Sequence, residues 1–180
     1  EQSSFDIADV ANRICEKLIE RHPHVFGDVV ANSDEEVKQN WEKIKLKQDN
    51  KGVLSGVPAS LPPLVKAYRM QEKAAGVGFD WQHIDGVVEK IEEEVREFYH
   101  EVNQKSQKRA EQEFGDLLFA LVNYARFMGI NPDDALTNAN QKFRKRFEKM
   151  ESKISDRQIE MSQLDLDKWE KLWQEVKSEN

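Results

Sequence analysis

Two groups of acidic residues have types and spacing that suit the binding of a divalent cation. The first is Glu93-Glu94-Val95-Arg96-Glu97, an E-E-x-x-E pattern, and the second is Glu113-Phe114-Gly115-Asp116, an E-x-x-D pattern. Residues 98–112 between them allow one helix to end and another to return antiparallel beside it. Carboxylates from two facing helices would then converge, and such oxygen ligands bind hard cations. The predicted ligands are Glu94, Glu97, Glu113 and Asp116.

The helical period places these carboxylates beside apolar surface. The first helix has one apolar stripe, formed by Val87, Val88, Ile91, Val95, Phe98 and Val102. The apolar arc of the second helix comprises Ala110, Phe114, Leu117, Leu121 and Tyr124. Glu113 falls inside this arc and Asp116 at its border. An unpaired buried carboxylate is costly, and a shared cation removes that cost. The alternative is that each acidic residue belongs to a solvated helix face.

Composition excludes some classes of function. The net charge is −7 with a pI near 5.3, which disfavours sequence-independent binding to nucleic acid. Cys15 is the single cysteine, so no internal disulfide and no cysteine-based zinc site are expected. No apolar run has the length of a membrane span, and the first residues do not resemble a signal peptide. These features predict a cytoplasmic protein that does not bind membranes.

The elements that must position the carboxylates are helical. No segment shows convincing alternation with a period of two residues, so the fold class is predicted as all-α. A glycine- and proline-rich linker is predicted at 49–63. Helices are predicted at 6–21, from Ser33 through Trp41, Ile44 and Lys45, at 64–75, 83–102 and 109–128, from Asn131-Pro132-Asp133-Asp134 to about 155, and at 166–177.

A weak internal repeat suggests a domain organisation. The segment 17–21 (Lys-Leu-Ile-Glu-Arg) resembles 142–146, and 41–45 (Trp-Glu-Lys-Ile-Lys) resembles 173–177. The acidic helices precede only the second copy within this chain. Residues 1–48 are therefore predicted to be the C-terminal helices of a first repeat that lacks its start, and 64–180 to be the catalytic domain. Chance similarity between lysine-rich helices is the alternative.

With these motifs the chain resembles the MazG family, within the all-α nucleoside triphosphate pyrophosphatases. The resemblance rests on the paired acidic patterns, on Arg21-His22-Pro23-His24-Val25-Phe26 and on Gly78-Phe79-Asp80-Trp81. It implies a four-helix bundle that works as a homodimer. It also implies hydrolysis of nucleoside triphosphates to a monophosphate and pyrophosphate, with Mg²⁺, or Mn²⁺ as the alternative ion, on the four predicted ligands.

The resemblance further implies which residues contact the substrate. Those in the main domain are Lys90, Arg109, Lys142, Arg146, Trp173 and Lys177. Their counterparts in the first repeat are Lys17, Arg21, Trp41 and Lys45, without a carboxylate cluster in this chain. Glu93 is the candidate general base, because it neighbours Glu94 but points about 100° away around an ideal helix.

Several alternatives stay open at this stage. One rival function is a non-catalytic helical module with a regulatory or scaffolding role. Another is a pyrophosphatase of the same fold that selects dCTP or dUTP. The basic run Lys142–Lys149 fits a triphosphate contact, a solvated face or an RNA-facing patch. Trp169 is expected in the core. For Trp173, core packing and base stacking are equally expected.

Overall fold

The computed structural model describes residues 6–30, 33, 36–37, 40, 44 and 52–179. All regular secondary structure in these ranges is helical, which confirms the all-α prediction for the part of the chain that is described. The predicted helix from Ser33 to Lys45 lies mostly outside it, including Trp41 and Lys45. None of the helices in the described residues is both long and apolar enough to span a membrane.

The helices agree with the predicted ones to within two residues at each end. They are α1 (Ile7–Arg21), α2 (Pro23–Phe26), α3 (Pro63–Gly76), α4 (Ile84–Asn103), α5 (Gln107–Phe127), α6 (Pro132–Asp156) and α7 (Leu166–Ser178). Two short 3-10 helices, Val53–Gly56 and Met161–Gln163, interrupt the connections. The short helix α2 was not predicted, since Pro23 ends α1 but also suits the first turn of a new helix.

Local capping explains where several helices begin. Asp6 and Asp9 form a reciprocal capping box at the start of α1. The Asn131 side chain accepts hydrogen bonds from the backbone N–H groups of Asp133 and Asp134, and Pro132 follows it at the start of α6. Asp165 caps α7 in the same way through the N–H of Lys168. These short-range signals are the reason why helix boundaries can be predicted from the sequence.

The described residues belong to two compact units, one ending at Gly129 and one beginning at Ile130. This boundary lies inside the segment 64–180 that the sequence predicts as one catalytic domain. The predicted division into 1–48, 49–63 and 64–180 therefore stays a prediction.

In the first unit, helices α4 and α5 form a tight hairpin, and α3 packs against α5. The chain reverses in a short turn in which Lys105 has a φ of 57°, a left-handed conformation that ends α4. Val87 on α4 is buried, as are three residues of α5, namely Ala110, Ala120 and Val122. This hairpin holds both acidic motifs.

The buried face of α5 differs from the predicted arc. Phe114 and Leu121 belong to the predicted apolar arc, but 47% and 46% of their surfaces are exposed. On α4, Val88 and Val102 of the predicted stripe are exposed as well. The buried side of α5 runs through the small residues Ala110 and Ala120, because small side chains allow close approach of the helices. Glu113 is half-buried, as the helical period predicts.

The second unit is a hairpin of α6 and α7. Its core consists of Met150, Ile154, Leu172 and Val176, and partly buried residues including Trp169 and Trp173 pack against it. The core position of Trp169 agrees with the prediction. Ion pairs from Lys153 and Arg157 to Glu175, each 2.7 Å long, join the two helices beside this core. Hydrogen bonds from Lys153 and Arg157 lower the pKa of the Glu175 carboxyl.

Candidate functional site

The α4–α5 hairpin brings the predicted acidic residues together. Two groups of carboxylates have ligand oxygens that all lie within 4.8 Å of one another. One group consists of Glu93, Glu94 and Glu97, and the other of Glu94, Glu113 and Asp116. Glu94 belongs to both, so it lies at the centre of the cluster. The arrangement places carboxylates of facing helices around one point, which is how helical bundles build carboxylate sites for cations.

The environment of Glu94 fits a bound cation. Its surface is only 4% exposed, and its Oε1 lies 2.7 Å from the Lys90 Nζ. The other oxygen, Oε2, is buried and has no hydrogen-bond partner in the described structure. A buried polar atom without a partner is costly and is uncommon in native proteins. Since all the surrounding ligands are carboxylate oxygens, the donor set suits a hard divalent ion such as Mg²⁺ or Mn²⁺.

The electrostatics at Glu113 show that negative charge is concentrated here. Partial burial raises the pKa of the Glu113 carboxyl, and the nearby charges of Glu97, Asp116 and Glu94 raise it further. A carboxyl among like charges resists ionisation. A divalent cation in the cluster would reverse this effect, because its charge favours the ionised form.

Lys90 neutralises part of the cluster. Its Nζ donates to Glu93 Oε1 and lies 2.7 Å from an oxygen of each of Glu93 and Glu94. Hydrogen bonds to these two carboxylates raise the pKa of the Lys90 ammonium. The prediction that Glu93 points away from Glu94 is therefore wrong for the side-chain ends. The long Glu93 side chain bends back to Lys90 and joins the cluster.

The remaining predicted substrate contacts belong to α5, α6 and α7. Arg109 is exposed on α5, one helical turn before Glu113. In the second unit, the Arg146 guanidinium lies 5.6 Å from the centre of the Trp173 ring, and the buried Arg146 Nε has no hydrogen-bond partner in the described structure. Trp173 also contacts the Phe143 ring and packs against the core. Lys142 and Lys177 are exposed. The structure thus pairs Arg146 with Trp173 within this unit.

A cavity of about 840 Å³ in the first unit opens beside the carboxylates. Lys90, Glu94 and Asp116 line one part of it. Most of the remaining wall is apolar and comes from the 3-10 helix Val53–Gly56, from α3 and the loop after it, and from α5. That wall includes Val53, Leu54, Met70, Ala74, Val77, Phe79, Trp81, Phe119 and Ala120. A large apolar cavity with a few converging polar groups is the usual form of a small-molecule site.

Gln71 places an amide in the wall of this cavity. It is buried, and its Nε2 donates to the Phe119 carbonyl oxygen over 2.8 Å. Because that partner can only accept, the amide orientation is set, and Oε1 is the atom left buried without a partner. Sequence reasoning missed this residue. The sequence signal that could have identified Gln71 is its helical spacing from Ala67 and Ala74, which places a polar side chain on the same face of α3 as these small apolar residues.

A second set of polar contacts holds the loop 77–81, which lines the cavity. Asp80 accepts hydrogen bonds from the Trp81 backbone N–H at 2.9 Å and from Arg126 on α5. Arg126 also donates to Asn123 Oδ1. The Trp81 ring packs directly on the α4 backbone, since a Cβ added to Gly86 would lie 2.6 Å from Trp81 Cε3. The motif Gly78–Trp81 carries part of the resemblance to the MazG family. Its hydrogen-bonded link to Arg126 and Asn123 was not predicted.

In the described residues, an all-helical fold places carboxylate oxygens around the buried Glu94, beside an apolar cavity. Helical proteins with such an arrangement form a class that binds divalent cations and small ligands. The sequence signature of the "MazG nucleotide pyrophosphohydrolase domain" matches residues 1–26 and 82–150. The second match contains both acidic motifs.

Similar proteins point to the same family. A nucleoside triphosphate pyrophosphohydrolase of Escherichia coli K12 is 42% identical over 183 residues, which cover 98% of this chain and 70% of that protein. The "nucleoside triphosphate pyrophosphohydrolase/pyrophosphatase MazG" of Thermotoga maritima is 41% identical, with 98% and 68% covered. Protein YabN of Bacillus subtilis is 44% identical, with 98% and 37% covered. The chain belongs to the MazG family.

Proposed function

We propose that this protein hydrolyses nucleoside or deoxynucleoside triphosphates to the monophosphate and pyrophosphate with the help of a divalent cation. The names of its relatives from Escherichia coli and Thermotoga maritima support the activity. The observation that carries the metal dependence is the buried Glu94, with one unpartnered oxygen at the centre of two carboxylate groups. We place the enzyme in the cytoplasm and its role in the housekeeping or regulation of nucleotide pools.

In this proposal Glu94, Glu97, Glu113 and Asp116 hold Mg²⁺, with Mn²⁺ as the alternative ion. When bound, such a cation neutralises phosphate oxygens and lowers the pKa of a coordinated water. The protein's own cations then stabilise charge that develops on the leaving pyrophosphate. These cations are Lys90, Arg109, Lys142 and Arg146. Trp173 and Lys177 complete the proposed substrate contacts, and Glu93 remains the candidate base.

The nucleoside is proposed to occupy the cavity beside the carboxylates. Its volume of about 840 Å³ is ample for a base and a sugar, and its apolar wall suits the faces of a base. Gln71 offers an unpartnered acceptor, and Asn123, whose oxygen is engaged by Arg126, offers its amide N–H groups. An acceptor and a donor match the polar edge of any nucleobase. This placement puts the phosphates toward Lys90, Glu94 and Asp116.

We also propose that the protein works as a homodimer. Phe114, Leu118 and Leu121 on α5 are each more than 40% exposed, and Tyr99 and Val102 on α4 are exposed as well. Contiguous apolar surface of this kind usually marks an interface, and two-fold dimers are the commonest oligomers. We expect light scattering at micromolar concentration to give twice the chain mass of 21.0 kDa. A monomeric mass would refute the proposal, and Leu118→Glu should reduce the mass if this face forms the contact.

Residues 1–48 are proposed to be related helices of another repeat, joined by the linker 49–63 to the catalytic segment 64–180. The match of the family signature to 1–26 as well as to 82–150 supports this division. The carboxylate ligands all lie in the later segment. A piece comprising residues 49–180, which keeps Val53 and Leu54 of the cavity wall, should therefore retain the activity of the full chain. Loss of activity in a folded and dimeric piece would show that the earlier residues contribute to the site.

The direct test of the function is product analysis by phosphorus NMR on a panel of nucleotides with and without Mg²⁺. The proposal expects monophosphate and pyrophosphate from several bases, and only with the cation. Turnover of dCTP or dUTP alone would indicate the base-selective alternative. Absence of turnover with a folded protein would favour the non-catalytic regulatory module.

A further inference from the structure

Lys90 contacts the same carboxylate that a cation bound at Glu94 would share. Its ammonium spans two carboxylates, with 2.7 Å to Glu93 Oε1 and 2.7 Å to Glu94 Oε1. Glu94 belongs to both carboxylate groups, so a cation held by either group shares Glu94 with Lys90. Two positive charges on one carboxylate repel each other across a few ångströms, and in a partly buried site water screens that repulsion weakly. Cation binding is therefore opposed by Lys90 in its observed position.

The Lys90 ammonium can also move to a different anionic partner. Its side chain is 39% exposed, and a lysine ammonium moves on a flexible four-carbon stem. Lys90 lines the same cavity as Glu94 and Asp116, where the triphosphate is proposed to lie. Phosphate oxygens are anions equivalent to the two carboxylates that the ammonium would leave. A bound triphosphate thus offers Lys90 a new partner when a cation displaces it.

We infer that Lys90 couples cation binding to triphosphate binding by exchanging between the two sets of anions. Without ligands it holds Glu93 and Glu94 together and lowers the affinity for the divalent ion. With nucleotide present it pairs with phosphate and leaves the carboxylates to the ion. Each ligand then raises the affinity for the other by the same factor, because such coupling is reciprocal. This inference rests on the proposed metal site and goes beyond a static contact between Lys90 and substrate.

The test is the affinity for Mn²⁺ alone, measured on the full chain by electron paramagnetic resonance of the free ion without nucleotide. Lys90→Met removes the competing charge and keeps most of the side-chain volume. Its Mn²⁺ dissociation constant should fall about tenfold, which lies within the usual range of coupling between two ligands. Lys90→Arg keeps the charge and should bind Mn²⁺ about as weakly as the native chain.

For the affinity for nucleotide, Lys90→Met should have the opposite effect to its effect on the affinity for Mn²⁺. At saturating Mn²⁺, Lys90→Met should bind an α,β-methylene nucleoside triphosphate about tenfold more weakly, since the phosphate partner is lost. A substitution that merely damages the helix would weaken both ligands. The matched control is Arg96→Met, which removes one positive charge from the same helix. Arg96 pairs with Glu92 at 3.9 Å and lines a pocket with Glu97 and Glu113, so this variant removes a nearby positive charge without breaking the ion pairs to Glu93 and Glu94.

The outcomes separate this inference from the proposed function. If the native chain binds no Mn²⁺, the metal site itself is wrong, and the role of Lys90 is wrong with it. If the native chain binds Mn²⁺ and Lys90→Met binds no more tightly than Arg96→Met does, the exchange is refuted while the metal site stands. Circular dichroism checks that each variant is folded. If Lys90→Met is not folded, the measurement is repeated with Lys90→Gln.

Discussion

Turnover of a nucleoside triphosphate is expected to fall by about 10²–10³-fold when Asp116 is replaced by Asn or Glu94 by Gln, the range found when a single electrostatic group is removed from an active site. Both amides keep the size of the native side chain but supply no charge to a cation. Glu94 belongs to both carboxylate groups, and Asp116 to the group that joins the two helices. The loss should appear in kcat and in Mn²⁺ affinity together. Glu97→Gln is expected to act in the same direction.

The control for this prediction is Glu92→Gln on the same helix. The Glu92 side chain is 65% exposed and pairs only loosely with Arg96, at 3.9 Å. The Glu92→Gln variant changes the net charge by the same amount as the test variants but leaves the carboxylate cluster intact. Its activity should therefore stay close to that of the native protein. Thermal melting without metal should show that Asp116→Asn is folded, because it removes one of the like charges that raise the pKa of Glu113. Native activity in both Glu94→Gln and Asp116→Asn would contradict the metal site.

The parts of the fold that the sequence predicts are those with local causes. Helix ends follow from caps and from proline, as at Asp6, Asn131 and Asp165. The convergence of the acidic motifs follows from helical spacing and a short reversal at 104–106. Glu113 on the buried side of α5 was predicted because one helical period decides it.

Other features depend on which helices pack against each other, and no local sequence pattern encodes this packing. Phe114 and Leu121 look like core residues by hydrophobicity, but the buried residues of α5 are Ala110, Ala120 and Val122, and α3 and α4 pack against this helix. The bond from Gln71 to Phe119 joins residues 48 positions apart. Asp80 and Arg126, which both line the cavity and are hydrogen-bonded to each other, are 46 positions apart. Periodicity predicts which face an element presents, whereas these contacts require the three-dimensional neighbours to be known.

The position of the Glu93 side chain shows a third limit. Helical phase predicts the direction of its Cα–Cβ bond but not the end of a flexible side chain. Lys90 lies three residues before Glu93 and four before Glu94, so a single ammonium reaches both carboxylates. Spacing alone allowed this contact, but it equally allowed Lys90 to face solvent. The inference that Lys90 exchanges partners could therefore be drawn only from the structure.

The position of bond cleavage gives the last prediction. A triphosphate can lose its γ-phosphate, or it can be split between the α- and β-phosphates. The chain has no G-x-x-x-x-G-K-[ST] loop, the usual cradle for γ-phosphate chemistry. It offers an acidic cluster beside the cavity and separate cations on α4, α5 and α6, namely Lys90, Arg109, Lys142 and Arg146. The resemblance to the MazG family implies that these cations contact the β- and γ-phosphates, which favours pyrophosphate as the leaving group.

Hydrolysis in ¹⁸O-labelled water distinguishes the routes, because the label marks the phosphorus atom that water attacks. We expect attack at the α-phosphorus, where a new P–O bond forms while the bond to the bridging oxygen breaks and that oxygen leaves with pyrophosphate. All the label should then appear in the monophosphate, as an isotope shift of its phosphorus resonance. Label in pyrophosphate would keep the α–β cleavage but place the attack at the β-phosphorus, against the proposed cation arrangement. Orthophosphate and a nucleoside diphosphate as products would overturn the functional proposal itself, whatever the metal does.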